Sequence, residues 1–258
     1  MGGGVSLTRD LIAGLHPAVS VFALQPRLDE QTVECFSSFT AAAGLYANLI
    51  RKFQPHGPYS LIGYCYGGGV AYEIARVLTE QGERVELLVL LDAVPTANNR
   101  QTGLKATLAR GARIARNLPG WIRDDMLQTR QPQFWRRSRR KLRAWGRALW
   151  RRLAGVNAGS HLDDLMDLSR VSTQNVQLRT RLWQAQLAHQ TKPAPVRIVL
   201  FRARTRGLFH GNSHDLGWGL FAAGGVEVVT LPGHHTSMLK QPNLQRVIEA
   251  LNERLQRH

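Results

Sequence analysis

The chain has 258 residues, which is enough for one α/β domain with a substantial core and too few for two domains of ordinary size. Its two cysteines, Cys35 and Cys65, provide no disulfide framework and favour a reducing, cytoplasmic compartment. The net charge is +16, and no apolar run reaches the roughly 18 residues needed to cross a bilayer, so we expect no stable membrane insertion.

The first third of the chain alternates between helical and extended patterns, which is typical of an α/β protein. A glycine run at residues 2–4 opens the sequence, and Cys35 is expected to be a small, at least half-buried hydrophobe. After the glycines, the patterns predict a helix over 7–15, a strand over 19–24, a helix over 36–53, a strand over 59–62 and a helix over 68–78.

Cys65 lies between the last strand and the last helix of this series, at the centre of Gly63-Tyr64-Cys65-Tyr66-Gly67. A strand, a tight turn and a helix are what a nucleophile elbow requires, because the turn holds the nucleophile in a strained conformation. Small flanking residues let the strand and the helix approach each other without a clash. The context predicts that Cys65 is a nucleophile, at a position where serine is usual.

The next predicted strand covers 85–91 and ends at Asp92. Ligands of open parallel sheets bind outside the carboxyl ends of the strands, so Asp92 lies where a catalytic acid should be, although a strand-end cap is the alternative. Another strand, over 226–231, leads to the adjacent residues His234 and His235. The chain order of nucleophile, acid and histidine is the one found in α/β-hydrolases.

Residues 99–160 interrupt the alternation with an Arg-rich, helical pattern. Between Arg100 and Arg152, sixteen Lys or Arg residues accompany two Asp residues, so this segment holds nearly all of the net charge. Tryptophans interleave with the basic residues, a pattern that suits nucleic acid, a membrane surface or an acidic carrier protein. A solvated face without a partner is the alternative.

The alternation then resumes and continues to the end of the chain. The histidines at 210, 214, 234 and 235 fit no zinc spacing, so we expect no metal site. Trp183 and Trp218 are expected to pack in the core or the lid, and Tyr64 and Tyr66 either line an acyl channel or simply pack. The remaining predicted elements are a helix over 172–190, a strand over 196–201, the strand over 226–231 and a helix over 242–256.

Four stretches of sequence carry a resemblance to a known family. The chain resembles the α/β-hydrolase thioesterase domains that release products from nonribosomal peptide synthetases and polyketide synthases. The resemblance implies an α/β-hydrolase core over 1–98 and 161–258, in which a mostly parallel sheet has helices on both faces and a helical lid is inserted at 99–160. The matching stretches are 63–68, 90–92, 216–219 and 232–239.

The same resemblance implies a triad of Cys65, Asp92 and His235. The family motif usually reads Gly-Asp-His-Phe-Thr-Met, which aligns His235 with the catalytic histidine and His234 with the aspartate, although adjacent histidines are easily exchanged in such an alignment. The oxyanion hole would consist of the backbone N–H of Tyr66 and one at about Met1 or Gly2. We also expect a strand upstream of Gly2, with a linker as the alternative explanation of the glycines.

The function implied is a thioesterase that takes an acyl or peptidyl chain from a carrier protein and releases it by cyclisation or transfer. No cofactor is bound, since the substrate arrives on the phosphopantetheine arm of a carrier that we expect to be fused upstream. We expect the basic lid to dock this carrier rather than a membrane or nucleic acid. The alternatives are a hydrolytic or editing thioesterase and a catalytically silent carrier-docking module.

The cysteine itself suggests a particular chemistry. A helix N-terminus and a neighbouring histidine both lower a thiol pKa from its usual value of about 8.5. Cysteine also keeps the acyl group as a thioester, which suits transfer to a demanding acceptor such as an amine or a hindered hydroxyl. The alternative is that cysteine replaces serine without any change of reaction.

Overall fold

The computed structural model describes residues 9–24, 38–96, 117, 119, 180–181, 184–205 and 213–256. Within these residues, helices and strands alternate along most of the chain. In chain order the elements are α1 (Arg9–Ala13), α2 (Phe39–Phe53), β1 (Tyr59–Tyr64), α3 (Tyr66–Glu80), β2 (Val85–Leu91), β3 (Ile198–Thr205), a 3₁₀ turn (Trp218–Leu220), β4 (Val226–His234) and α4 (Asn243–Leu255).

The four strands form one parallel sheet in the order β1-β2-β3-β4. Its inner strands are continuous apolar runs because helices cover both faces of the sheet. The register pairs Tyr64 with Leu91 and Leu91 with Phe201, and it pairs Thr205 with His234. The carboxyl ends of all four strands therefore meet at one edge of the molecule.

Helices on the two faces of the sheet divide the core into two layers. Along β2, alternate side chains point to opposite faces, as the pleat of a strand requires. Leu87, Val89 and Leu91 pack with α1 and α4, whereas Leu88 and Leu90 pack with α3. Helix α2 lies outside α3 and buries its alanine-rich face against it. The expected α/β arrangement, with helices on both faces of a parallel sheet, is confirmed.

The strand predicted over 19–24 is wrong. These residues have no regular secondary structure, and Val21, Phe22 and Leu24 are exposed. The ring of Phe22 instead contacts that of Phe53, with 5.7 Å between ring centroids. An apolar run becomes a strand only where a neighbouring strand can pair with it, and no described strand does so here.

Element boundaries differ from the predictions in one consistent way. The strands predicted to end at 62, 201 and 231 continue to Tyr64, Thr205 and His234, so that each reaches the residues of the carboxyl edge. The predicted helix over 172–190 is present at residues 180–181 and 184–188. Apart from residues 117 and 119, the predicted lid over 99–160 lies outside the described residues, as do Met1, Gly2, Cys35 and Trp183. None of the helices in the described residues combines the length and the hydropathy of a membrane span.

Candidate active site

Cys65 forms the turn between β1 and α3. It is the N-cap residue of α3 and has φ 56° and ψ −119°, a conformation that is costly for a residue with a side chain. Its N–H donates to the carbonyl oxygen of Leu91 on β2 at 3.1 Å, which holds the turn against the neighbouring strand. The predicted strand, tight turn and helix are therefore present, and Cys65 is the strained residue of the turn.

The glycines around the elbow have unequal steric roles. A Cβ atom on Gly63 would collide with the carbonyl oxygen of Gly67 and lie 2.6 Å from the Cα of Gly68, because strand and helix cross closely there. A Cβ atom on Gly68 would collide with the side chain of Ala93. No atom outside the helix lies within 4 Å of a Cβ atom on Gly67. The close approach therefore requires glycine at positions 63 and 68 rather than at both ends of the five-residue motif.

Asp92 follows β2 directly and is held by the backbone of β3. It has φ 46°, and its N–H donates to the carbonyl oxygen of Phe201 at 2.7 Å. One carboxylate oxygen accepts a hydrogen bond from the N–H of Ala203 at 3.0 Å. The other lies 2.8 Å from Nδ1 of His235. The carboxylate is almost completely buried, and these two contacts, one to each oxygen, fix its orientation.

His235 lies in the turn directly after β4. The penultimate residue of that strand, Gly233, has φ 88°. The preceding His234 is turned away from Asp92. Its Nδ1 lies 3.1 Å from the hydroxyl of Thr236, and its N–H donates to the hydroxyl of Ser237 at 2.9 Å. The structure thus brings His235, and not His234, to the carboxylate of Asp92.

The imidazole of His235 also interacts with the thiol of Cys65, through a side-chain hydrogen bond and through the attraction of opposite charges. Burial by itself raises the pKa of the Cys65 thiol, but the hydrogen bond and the positive charge of His235 hold that pKa below its usual range. Burial lowers the pKa of His235, yet its hydrogen bonds to Asp92 and Cys65 raise it to about 9. The lowered pKa of the thiol and the raised pKa of the imidazole both favour a thiolate beside an imidazolium.

The two tyrosines that flank Cys65 have different surroundings. The N–H of Tyr66, the first residue of α3, points at the sulfur of Cys65, and its ring packs edge-on against Phe39. Tyr64 instead stacks on the ring of His235 and donates its hydroxyl to the carbonyl oxygen of that residue. The sequence left the role of Tyr64 open, because only the fold brings residue 64 next to residue 235.

A buried tryptophan supports the turn that carries Asp92. Trp218 is fully buried, as expected for a core residue, and its Nε1–H donates to the carbonyl oxygen of Ala93 at 2.9 Å. Asp215 organises the loop before it by accepting hydrogen bonds from the N–H groups of Gly217 at 3.0 Å and Gly219 at 2.8 Å. The hydrogen bond from Trp218 to Ala93 gives the 216–219 stretch a structural role that the sequence did not reveal. No cluster of metal-binding side chains occurs within the described ranges.

Known proteins resemble this chain in both sequence and fold. The sequence model of the thioesterase domain matches residues 1–255. A stretch of 94 residues is 38% identical to microperfuranone synthase of Emericella nidulans, and it makes up 36% of this chain and 10% of that one. A stretch of 55 residues is 54% identical to a non-reducing polyketide synthase of a Nectria species, covering 21% and 3%. The chain thus spans a tenth or less of the length of these two curated relatives.

Solved structures show the same fold at low sequence identity. The surfactin-cyclising thioesterase domain superposes with a TM-score of 0.55 at 18% identity, covering 96% of this chain and 85% of that one. The thioesterase of the prodiginine pathway of Streptomyces coelicolor gives 0.58 at 17% identity, covering 98% and 86%. The predicted α/β-hydrolase fold is therefore confirmed.

Proposed function

Because the chain belongs to the thioesterase domain family, we propose that it takes an acyl or peptidyl chain from a carrier protein onto Cys65 and then releases it. The observation that supports this most directly is the connected set of side chains at the carboxyl edge of the sheet. Asp92 contacts His235 at 2.8 Å, and His235 contacts the thiol of Cys65. A nucleophile, a base and a residue that orients the base are the parts that acyl transfer needs.

In the loading step, the thiolate of Cys65 attacks the carbonyl carbon of the incoming thioester. The N–H of Tyr66 lies beside the sulfur, where it can donate to the oxyanion that forms. Met1 and Gly2 remain the proposed source of a second donor. As the bond to the carrier sulfur breaks, the imidazolium of His235 gives its proton to the departing thiolate, and the acyl group stays on Cys65.

In the release step, neutral His235 acts as a general base. It takes a proton from the acceptor, which is an amine, a hydroxyl of the same chain or water, while that acceptor attacks the acyl carbon. The bond to Cys65 then breaks and restores the thiolate beside the imidazolium. Asp92 stays ionised throughout and holds Nδ1 of His235, so that Nε2 exchanges the protons.

The thioester intermediate accounts for a cysteine at the elbow. Loading exchanges one thioester for another, so the acyl group keeps its activation on the enzyme. A serine would form an oxoester and release part of this free energy before the acceptor arrives. We therefore propose cyclisation or transfer as the outcome, with hydrolysis as the competing reaction.

The partner proposed is an acyl or peptidyl carrier domain, fused upstream in the same polypeptide, that delivers the substrate on a phosphopantetheine arm. The relatives that share short stretches with this chain are far longer synthases, which agrees with such a fusion. The basic segment between Arg100 and Arg152 is the proposed docking surface for the acidic carrier. No bound cofactor takes part in the proposed cycle.

Intact-protein mass spectrometry after incubation with acyl N-acetylcysteamine thioesters tests the proposal. We expect one acyl group to add to the protein, to persist longer when His235 is replaced by glutamine, and to be absent from Cys65→Ala. An acyl-enzyme that still forms in Cys65→Ala would refute the assignment of the nucleophile. A wild-type protein that never loads with any acyl or carrier-bound thioester would instead indicate a silent docking module.

Cys65→Ser tests why cysteine is present. We expect this variant to hydrolyse the substrate while losing most of its transfer to an added amine, because its intermediate is an oxoester. The ratio of transfer product to hydrolysis product, measured by chromatography, reports the difference. Equal ratios for the two enzymes would show that cysteine replaces serine without changing the reaction.

A further inference from the structure

Tyr64 makes two separate contacts with His235 and lies outside the triad proposed above. It is the last residue of β1, directly before Cys65. Its ring stacks on the imidazole, with 5.0 Å between centroids and 21° between planes. Its hydroxyl donates to the backbone carbonyl oxygen of His235 at 2.6 Å. One side chain thus holds both the ring and the backbone of the histidine.

The stacked ring has an electrostatic consequence. The face of an aromatic ring carries partial negative charge and attracts a cation that lies within about 6 Å of its centre. The titratable side chains that the described structure places at the imidazole are Asp92, Cys65 and Tyr64 itself. Asp92 approaches in the ring plane at Nδ1, whereas Tyr64 covers a face, so the two favour the imidazolium from different directions.

The hydroxyl contact has a geometric consequence. His235 lies in the turn after β4, and among the described residues the strand pairing of β4 ends at His234. Burial raises the pKa of the Tyr64 phenol far above its usual range, so the hydroxyl remains a donor. The hydrogen bond therefore ties the histidine turn to the strand that carries the nucleophile. Such a tie fixes the separation of sulfur and imidazole, to which proton transfer is sensitive.

We propose that Tyr64 is a positioning residue that acts through His235: its ring stabilises the charged imidazole, and its hydroxyl fixes the histidine turn relative to Cys65. The proposal rests on the proposed function only for the role of His235 in acyl transfer. Each contact can be removed separately, since phenylalanine keeps the ring and loses the hydroxyl, whereas leucine loses both. If Tyr64 only supported the fold, the pKa of His235 would be the same in these two variants.

A matched control lies at the other end of the same strand. Tyr59, the first residue of β1, also donates its hydroxyl to a backbone carbonyl oxygen, that of Gln54, at 2.9 Å. Tyr59→Phe therefore removes a hydrogen bond of the same chemical type from the same strand, far from the carboxyl edge. Any effect that follows from weakening β1 in general appears in both variants.

The first experiment follows the imidazole of His235 by NMR over a pH range, using histidine-labelled protein and His235→Gln to assign its signal among nine histidines. We expect the wild type to titrate near pH 9. Tyr64→Phe and Tyr59→Phe should titrate as the wild type does. Tyr64→Leu should titrate lower by about half a unit to one unit, because its imidazolium loses the aromatic face.

The second experiment measures single-turnover loading and steady-state release with an acyl thioester. Tyr64→Phe should lower kcat by roughly threefold to tenfold with an unchanged KM, the effect of losing one hydrogen bond. Tyr59→Phe should stay within about twofold of the wild type. An unchanged kcat in Tyr64→Phe, or an equal loss in Tyr59→Phe, would overturn the role of the hydroxyl.

An unshifted titration in Tyr64→Leu would overturn the role of the ring. If the leucine variant does not fold, Tyr64→Met removes the aromatic face with a side chain that adapts to irregular gaps, and the same criterion applies. The titration needs no substrate. A wild type that fails to load would therefore refute the proposed function while leaving the contact between Tyr64 and His235 open to this test.

Discussion

Both ends of the sheet contain residues with positive φ, but the two ends differ in which residue types adopt it. At the amino ends, the turns with positive φ before β2 and β4 contain Gly82 (φ 80°) and Gly225 (φ 91°). At the carboxyl ends, glycine has positive φ only at Gly233 (φ 88°) of β4 within the described residues, whereas Cys65 (φ 56°) and Asp92 (φ 46°) occupy such positions with side chains. Within the described residues, the only other non-glycine residue with positive φ is Leu216, in the loop that precedes Trp218.

The difference shows where this chain tolerates strain. Glycine adopts positive φ at little steric cost, whereas other residues pay about 1–3 kcal/mol when held in rarely populated regions. The strained turns at the carboxyl edge place a thiol and a carboxylate at the ends of their strands, and neighbouring strands hold them there. Cys65 donates to Leu91, and Asp92 is bonded to Phe201 and Ala203. The sheet thus stabilises the two conformations that the proposed chemistry needs.

The largest effect should come from breaking the close approach that makes the elbow possible. Gly63→Ala would place a Cβ atom against the backbone of Gly67 and Gly68, which cannot move without shifting α3 from the sheet. We expect a loss of about 3 kcal/mol or more in the free energy of unfolding, measured by urea denaturation. Gly67→Ala is the control, since open space surrounds that position, and it should be neutral or slightly stabilising. Equal losses in the two variants would contradict this account of the motif.

The second largest effect should follow from removing the buried charge at the other strained position. Asp92→Asn keeps the size of the side chain but no longer stabilises the imidazolium of His235. We expect the single-turnover loading rate to fall by about a hundredfold or more. Asp215→Asn, which changes a carboxylate that bonds only loop N–H groups in the contacts described above, should load within a few-fold of the wild type. A small effect at Asp92 would remove it from the proposed triad.

The pH dependence of loading should report the charged pair at this edge. In the proposed mechanism, loading needs the thiolate of Cys65 and the proton on His235. Because His235 holds the pKa of Cys65 below its usual range, the thiolate should form at a lower pH than in a free cysteine. Because the pKa of His235 is about 9, the rate should fall roughly tenfold per pH unit above that value. In Asp92→Asn, the falling limb should move to lower pH. A wild-type rate that keeps rising above pH 10 would contradict the imidazolium as proton donor.

The sequence predicted the parallel sheet and the elbow because both depend on local signals. Apolar runs, glycines and the chain order of nucleophile, acid and histidine can all be read directly from the sequence. Cys65, Asp92 and His235 could be proposed as neighbours because strands of a parallel sheet end at a common edge. The histidine could be chosen over His234 only by resemblance, and the structure separates the two by the direction of a turn.

Contacts between distant side chains were beyond the sequence. Nothing in the order of residues indicates that Tyr64 stacks on His235, or that Trp218 bonds the carbonyl oxygen of Ala93. The incorrect strand over 19–24 has a related cause. An apolar run is a property of the segment, whereas strand formation requires a partner that local sequence does not specify.

A smaller effect should measure the strain at the nucleophile directly. Cys65→Gly and Cys65→Ala both lack the thiol, so neither should load. Glycine accepts φ 56° and ψ −119° far more readily than alanine does. We therefore expect Cys65→Gly to be more stable than Cys65→Ala by about 1–2 kcal/mol, measured by urea denaturation. If alanine proves the more stable of the two, the backbone at this turn is not strained in solution.

The smallest effect concerns the relaxed turns at the amino ends. Gly82→Ala places a Cβ atom in open space, so only the backbone conformation at φ 80° opposes it. We expect a loss of about 1 kcal/mol in the free energy of unfolding and an unchanged loading rate. Gly44→Ala, in the middle of α2, also meets open space but has no positive φ, and helix propensity should stabilise it by about 0.5–1 kcal/mol. The two substitutions should therefore shift the urea midpoint in opposite directions. Shifts of the same sign would show that positive φ does not determine the cost of a side chain in this protein, and the contrast between the two ends of the sheet would lose its physical basis.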